Sequence, residues 1–299
     1  MWRPWTAAAG AIIVLLAFRE VFRDLFHPSQ SGSLSDYVGK TMFRTFRLWP
    51  RMLSSAGPLS LVIVILCWAF LQALGFALVY LAGYPGSFEV SKGGNPSMEH
   101  SFASVVYFSL EVMTTLGFGD FIPKTNLFRF LVVIQALTGF ALVTASVSWV
   151  VLLYPALGRL RTLARRTSIL VAASKQTGVD IVSDESAFLL GELALSVVRA
   201  RVDLVYFPVI YYFHTKRAKS ALADVLPDLT WIAERGCLTD NSDRVRLSAA
   251  TLNSALDDLA AILKERFVRT DAETKSEVFE AYAKDHLSHL RRAQASSAK

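Results

Sequence analysis

The sequence predicts an all-α membrane protein: two long spanning helices flank a short re-entrant one, and a helical domain follows. Three observations predict it. Residues 57–83 and 131–154 contain no charged side chain, and at about 1.5 Å per residue each run exceeds the roughly 30 Å of a hydrocarbon core. Between them, residues 101–115 are mostly apolar but too short to cross. The composition agrees, since 53% of residues are hydrophobic and the mean hydropathy is +0.39, both high for a soluble domain.

The elements follow in order. Residues 1–30 hold an apolar run, Trp5 to Phe18, of about 14 residues, which is marginal for a span. Arg3 precedes it as in a secretory signal, but no small-residue cleavage site follows. Arg19 to Phe26 continues instead as an amphipathic helix, so the segment is expected to be an uncleaved spanning or partly inserted helix.

Residues 31–56 form a basic segment with Lys40, Arg44, Arg47 and Arg51 on one helical face. Gly39 and Pro50 bracket a stretch too short to span. Met42, Phe43, Phe46 and Trp49 suit it to lie along an interface, with anionic lipid as its partner, and too little chain is left for a voltage-sensing bundle. A second basic cluster, Arg159, Arg161, Arg165 and Arg166, follows residue 154, whereas the loop of residues 84–100 has only Lys92 against Glu89 and Glu99. Basic loops stay inside, so residues 155–299 are expected in the cytosol. The net charge of +6 is explained at membrane edges and needs no nucleic acid. Cys67 and Cys237 fall on opposite sides of this scheme, so no disulfide joins them.

The short apolar run leads directly into Thr114-Thr115-Leu116-Gly117-Phe118-Gly119-Asp120. Glycines at alternate positions permit torsions that turn successive carbonyls to one side of an extended strand, which side chains with a Cβ resist. Four such strands around an axis make a column of oxygen cages. The stretch resembles the selectivity filter of the potassium channel family, whose usual form is TVGYG, with Leu116 in place of Val and Phe118 in place of Tyr. The resemblance covers residues 57–154, read as outer helix, pore helix, filter and inner helix.

It implies that Thr115, Leu116, Gly117, Phe118, Gly119 and Asp120 form the filter and that Thr115 adds its hydroxyl to the innermost site. It also implies a homotetramer, with K+ as the permeant ion and no other metal or cofactor. Glu111 falls where the family carries a buried glutamate that meets the filter aspartate, and Tyr107 where an aromatic braces the filter; a Glu111 merely solvated behind it is the alternative. Phe118 lacks the usual hydroxyl, so the filter is expected to be less firmly propped. Pro123 fits the return loop. Gly139 lies at the family's gating hinge, with tight helix packing as the alternative, and Phe140, Val143 and Val147 would line the cavity. The hydroxyls of Thr144, Ser146 and Ser148 are expected to bond their own helix, with an aqueous vestibule shared with Trp149 as the alternative, and Gln72 to bond a neighbouring helix rather than an ion.

In residues 155–299, helices are expected over Asp184–Arg201, Ala218–Val225, Ser242–Phe267 and Asp271–Arg291. Pro208 reads as a breaker, and Pro227 as the end of the second helix and the possible start of another. Val205 to Phe213 reads as helical core, with packing under the membrane or against another subunit as the alternative. His286 and His289 read as solvated, and residues 293–299 as disordered. No strand-to-helix glycine turn, strand series, phosphate loop or catalytic constellation is present, so the sequence names no regulatory ligand and no enzyme activity. Two functions remain, a potassium channel and a non-conducting membrane sensor or scaffold with a pore-like fold; the uninterrupted filter favours the first.

Overall fold

The computed structural model describes residues 4–26, 34–46, 53–90, 101–213, 221–268 and 270–297. The chain forms two compact units, one of residues 1–27 and 62–151, the other of residues 28–61 and 152–299. Two helices, α3 (Leu53–Leu81) and α5 (Asn126–Thr177), run through both. With α1 (Pro4–Phe26) they are the three helices long and apolar enough to cross a membrane among the described residues. The marginal N-terminal run is thus one helix of 23 residues.

The first unit also contains β1 (Phe88–Val90), α4 (Phe102–Met113) and β2 (Phe121–Pro123). Apolar burial gives little drive for helix association in lipid, so close packing and polar contacts decide. α1 approaches α3 at paired glycines: a Cβ on Gly10 would stand 2.4 Å from the Gly75 carbonyl oxygen. α4 starts at Ser101, whose hydroxyl accepts from the Ala103 N–H at 3.1 Å, a cap worth about 1 kcal/mol. β1 and β2 pair antiparallel with Glu89 opposite Ile122. This ribbon, absent from the sequence reading, ties the chain after α3 to the chain that leaves the Thr114–Asp120 segment. Tyr80, Phe88, Phe108, Phe121 and Phe128 pack beneath it, with Phe88 and Phe128 at 5.1 Å.

The second unit contains α2 (Leu34–Phe46), α6 (Ala187–Tyr206), a 3-10 turn (Pro208–Tyr212), α7 (Leu222–Gly236), α8 (Asp243–Arg266) and α9 (Lys275–Ser297). α6 packs on α8, which also carries α7 and α9. The 3-10 turn packs on α2, and Gly39 allows this because a Cβ there would meet the Tyr212 ring at 2.6 Å. Gly39 therefore lies inside its helix rather than at its start. Arg47, Trp49, Pro50 and Arg51 lie outside the described residues, as do the side chains of Phe43, Arg44 and Phe46.

Four expectations are corrected here. Pro227 does not end a helix; it sits inside α7. The buried face of Leu222, Val225, Leu226, Leu229 and Ile232 runs straight past it, and proline costs least near a helix start, where few intrahelical bonds are lost. The last helix begins at Lys275, because Thr274 and Glu277 form a capping box: the Glu277 carboxylate accepts from the Thr274 N–H at 3.3 Å and the Thr274 hydroxyl from the Glu277 N–H at 3.3 Å. Its backbone stays helical to Ser297, through residues expected to be disordered. His286 is buried, not solvated, with its ring 4.8 Å from Tyr211 and 4.5 Å from Tyr282; the side chain of His289 lies outside the described residues. Tyr211 donates to Asp285 at 2.8 Å, and burial, reinforced by the Asp285 charge, holds its hydroxyl well above the usual tyrosine range.

Candidate functional site

The Thr114–Asp120 segment joins α4 to β2. α4 ends because the amides of Thr114, Thr115 and Leu116 fold back onto its last carbonyls, Leu110, Val112 and Glu111, at 2.9–3.1 Å. Beyond that point the backbone takes left-handed torsions at every second residue, with φ of 58° at Thr115, 61° at Gly117 and 76° at Gly119. For a β-branched threonine this is a genuine outlier. On the single chain, no atom of the described residues beyond the chain neighbours lies within 4 Å of a Cβ built on Gly117 or Gly119, so the positive φ is what favours glycine there. The segment is exposed on the single chain, Leu116 at 60% and Phe118 at 65%.

Glu111 and Tyr107, two positions singled out in the sequence, hold this segment from the α4 side. Glu111 is buried, and its Oε1 accepts the Gly119 N–H at 3.2 Å. In a trans peptide the C=O points opposite the N–H, so this bond directs the Phe118 carbonyl away from α4. The Tyr107 hydroxyl donates to Asp120 Oδ2 at 3.2 Å. No hydrogen bond joins the two carboxylates among the described residues. Glu111 and Tyr107 instead brace adjacent residues of one strand, Gly119 and Asp120, and Glu111 Oε2 is buried without a partner among the described residues.

Gly139 lies on α5 against the end of α4, and Phe140, Val143 and Val147 are exposed on one side of the same helix, at 71%, 63% and 58%. α5 continues through Pro155 without a break. Thr144, Ser146 and Ser148 each donate to a carbonyl four residues back, as the sequence suggested, and Trp149 packs on Trp68 at 5.3 Å. Gln72 is buried, but its Oε1 has no partner among the described residues; the amide that bridges helices is another one.

That amide is Gln135, which sequence reasoning missed. Its Nε2 donates to both the carbonyl and the hydroxyl of Ser109 at 2.8 and 2.7 Å, and its Oε1 accepts from Tyr80 at 2.7 Å. Ser109 donates onward to the Ala73 carbonyl at 2.6 Å. All three side chains are fully buried, so this network fixes α4 between α3 and α5. Its sequence signal was one polar amide in the run of residues 131–154, matched by a serine on the short helix.

Residues 63–153 match the ion channel family model. The match supports an ion channel and points to transport rather than catalysis. The chain is similar to the uncharacterized membrane protein YdjJ of Bacillus subtilis, 27% identical over 184 residues that make up 58% of this chain and 52% of that protein. It is also similar to the voltage-gated potassium channel Kch of Escherichia coli, 39% identical over 67 residues, 21% of this chain and 16% of that one. The chain thus spans about half the length of the first of these relatives and less of the second. No solved structure matches it. With three candidate spans, an ion channel match and a membrane-protein relative, the chain is a multi-pass membrane protein.

Proposed function

We propose that this protein is a potassium-selective channel, a homotetramer that passes K+ down its gradient through one central filter. The observation that carries the reading is the alternation of left-handed backbone at Thr115, Gly117 and Gly119. This torsion pattern turns successive carbonyls to one side, and a dehydrated K+ needs such a column of oxygens. Each chain supplies a single strand, and a closed cage needs four. The name of the Escherichia coli relative, a potassium channel, agrees with the ion.

In this reading Thr115, Leu116, Gly117, Phe118 and Gly119 replace the hydration shell of K+, and Glu111 and Tyr107 tether the strand from behind. Phe140, Val143 and Val147 face the water-filled cavity below. The second unit is cytoplasmic, on the strength of the basic residues that flank the spans, and the interfacial segment meets anionic lipid. K+ is the only ion the site requires, and no cofactor takes part.

Flux from purified protein in liposomes tests it. K+ should pass and Na+ should be largely excluded, and native mass measurement should give four chains. Equal K+ and Na+ flux, no flux, or dimers alone would refute the proposal.

A further inference from the structure

One face of α6 is left over after the helix has made its own core. Leu190, Leu193, Val197 and Leu204 are buried on the side that packs on α8. A different stripe stays in the open, with Phe188 at 66%, Leu195 at 43%, Val198 at 41% and Val202 at 37% exposure. Phe188, Leu195 and Val202 recur every seven residues, and Val198 falls three beyond Leu195. This is the spacing of a helix that packs lengthwise against another helix.

The charges beside the stripe say what kind of helix. Glu192 and Arg199 lie on the same flank, seven residues apart, with opposite sign; Glu192 also meets Arg166 of its own chain at 3.5 Å, a half-exposed pair that leaves its carboxylate room for a second guanidinium. If a second α6 lies antiparallel across a two-fold axis near residues 195–198, Glu192 of each copy comes opposite Arg199 of the other, and the pairing occurs twice. A contact that satisfies itself by a two-fold rotation is the commonest kind in homo-oligomers.

We infer that α6 is a docking surface for the α6 of a second copy of this chain, packed antiparallel across a two-fold axis. Phe188 then meets Val202 of the partner subunit, and Leu195 meets the partner's Val198. In a tetrameric assembly the second units would associate as two pairs rather than as a four-fold ring. The contact itself does not depend on the pore.

The test uses the full-length protein with Cys67 and Cys237 replaced by Ala, in membranes, with a short bis-maleimide. Leu195→Cys, close to the axis, should cross-link to its own copy, whereas Phe188→Cys alone should not. Phe188→Cys combined with Val202→Cys should cross-link between chains, because within one chain the two are about 21 Å apart along the helix. Arg199→Glu should lower the Leu195→Cys yield several-fold, and adding Glu192→Arg should restore it.

Cross-linking of Phe188→Cys to itself would indicate a parallel contact and overturn the inference. So would a Val198→Cys that is shielded from maleimide while no position cross-links, since lipid or another segment would then cover the stripe. Cross-links at the expected positions without K+ flux would refute the channel reading alone, and K+ flux without cross-links would refute this inference alone.

Discussion

A Cβ on Gly139 would stand 2.4 Å from the carbonyl oxygen of Met113, the last residue of α4. The glycine lets the inner helix touch the backbone that leads into the Thr114–Asp120 segment. This contact explains a glycine there without any bend. Gly139→Ala should therefore push α5 off α4 at a cost of about 1–3 kcal/mol, lowering the melting temperature of the assembly in detergent and reducing K+ flux together. A pure hinge predicts the opposite for stability, because alanine favours a helix by up to about 1 kcal/mol. A mutant with unchanged or raised stability and rarer opening would assign Gly139 to gating.

Gly117→Ala and Gly119→Ala lack the torsion, though on the single chain the methyl group meets nothing. A left-handed backbone costs a residue with a Cβ roughly 1–2 kcal/mol. Each mutant should remain folded and assembled while K+ over Na+ selectivity is lost. Liposome flux under paired ion gradients checks this, and preserved selectivity in both mutants would remove these residues from the filter.

Glu111 separates two roles that a simple deletion would blur. Glu111→Gln keeps an oxygen for the Gly119 N–H, whereas Glu111→Ala strands that donor at a cost of about 1–3 kcal/mol. Sustained K+ current in bilayers should fall little in the first and strongly in the second. Equal loss in both would mean that the charge and not the hydrogen bond is what matters. A double-mutant cycle with Asp120→Ala should show coupling, since Glu111 holds Gly119 and Tyr107 holds Asp120, neighbouring residues of one strand.

Much of the first unit was legible because lipid imposes a simple code. Uncharged runs gave α3 and the membrane half of α5, and Ser101 and the short apolar stretch gave α4 almost to the residue. The glycines of the Thr114–Asp120 segment announced their own torsions. Thr115 did not, since its left-handed backbone is imposed by the fold rather than preferred by the residue. Contacts between distant residues, such as Glu111 with Gly119 or Gln135 with Ser109, depend on packing that spacing alone does not reveal. In the second unit, Pro227 is a poor guide to a helix end, because a long apolar face outweighs one lost hydrogen bond. The capping box at Thr274 and Glu277 is written in the sequence as T-x-x-E, whereas the earlier acidic residue Asp271 starts no helix.

Glu277 carries a pH dependence that can be read at the start of α9. The N–H groups of Thr274 and Glu273 donate to its carboxylate and hold its pKa below the usual glutamate value. A depressed pKa means that the cap stabilises the fold above the unfolded value of about 4.3 and that this contribution is lost as pH falls through the folded value. Glu277→Gln should lower amide protection at the start of α9 near neutral pH, and the difference from the parent protein should shrink on acidification. A difference that is the same at both ends of the range would show that the carboxylate charge plays no part.

Gln135 should be the most sensitive polar position in the first unit. Its amide is the single group that satisfies Tyr80 on α3 and Ser109 on α4 at once, and hydrocarbon offers neither side chain a substitute partner. Gln135→Leu keeps the volume roughly constant but leaves the buried Tyr80 hydroxyl without its acceptor, a loss of about 1–3 kcal/mol. Ser109 keeps its bond to the Ala73 carbonyl, so its share of the damage should be smaller. Tyr80→Phe in the Gln135→Leu background should then recover part of the stability, because it removes the stranded hydroxyl. The melting temperature of the detergent-solubilised assembly reads both effects. If Gln135→Leu melts like the parent protein, or if Tyr80→Phe makes the double mutant worse, the network does not hold α4 in place, and the position of the strand above it must be set by the β1–β2 ribbon and the Gly139 contact.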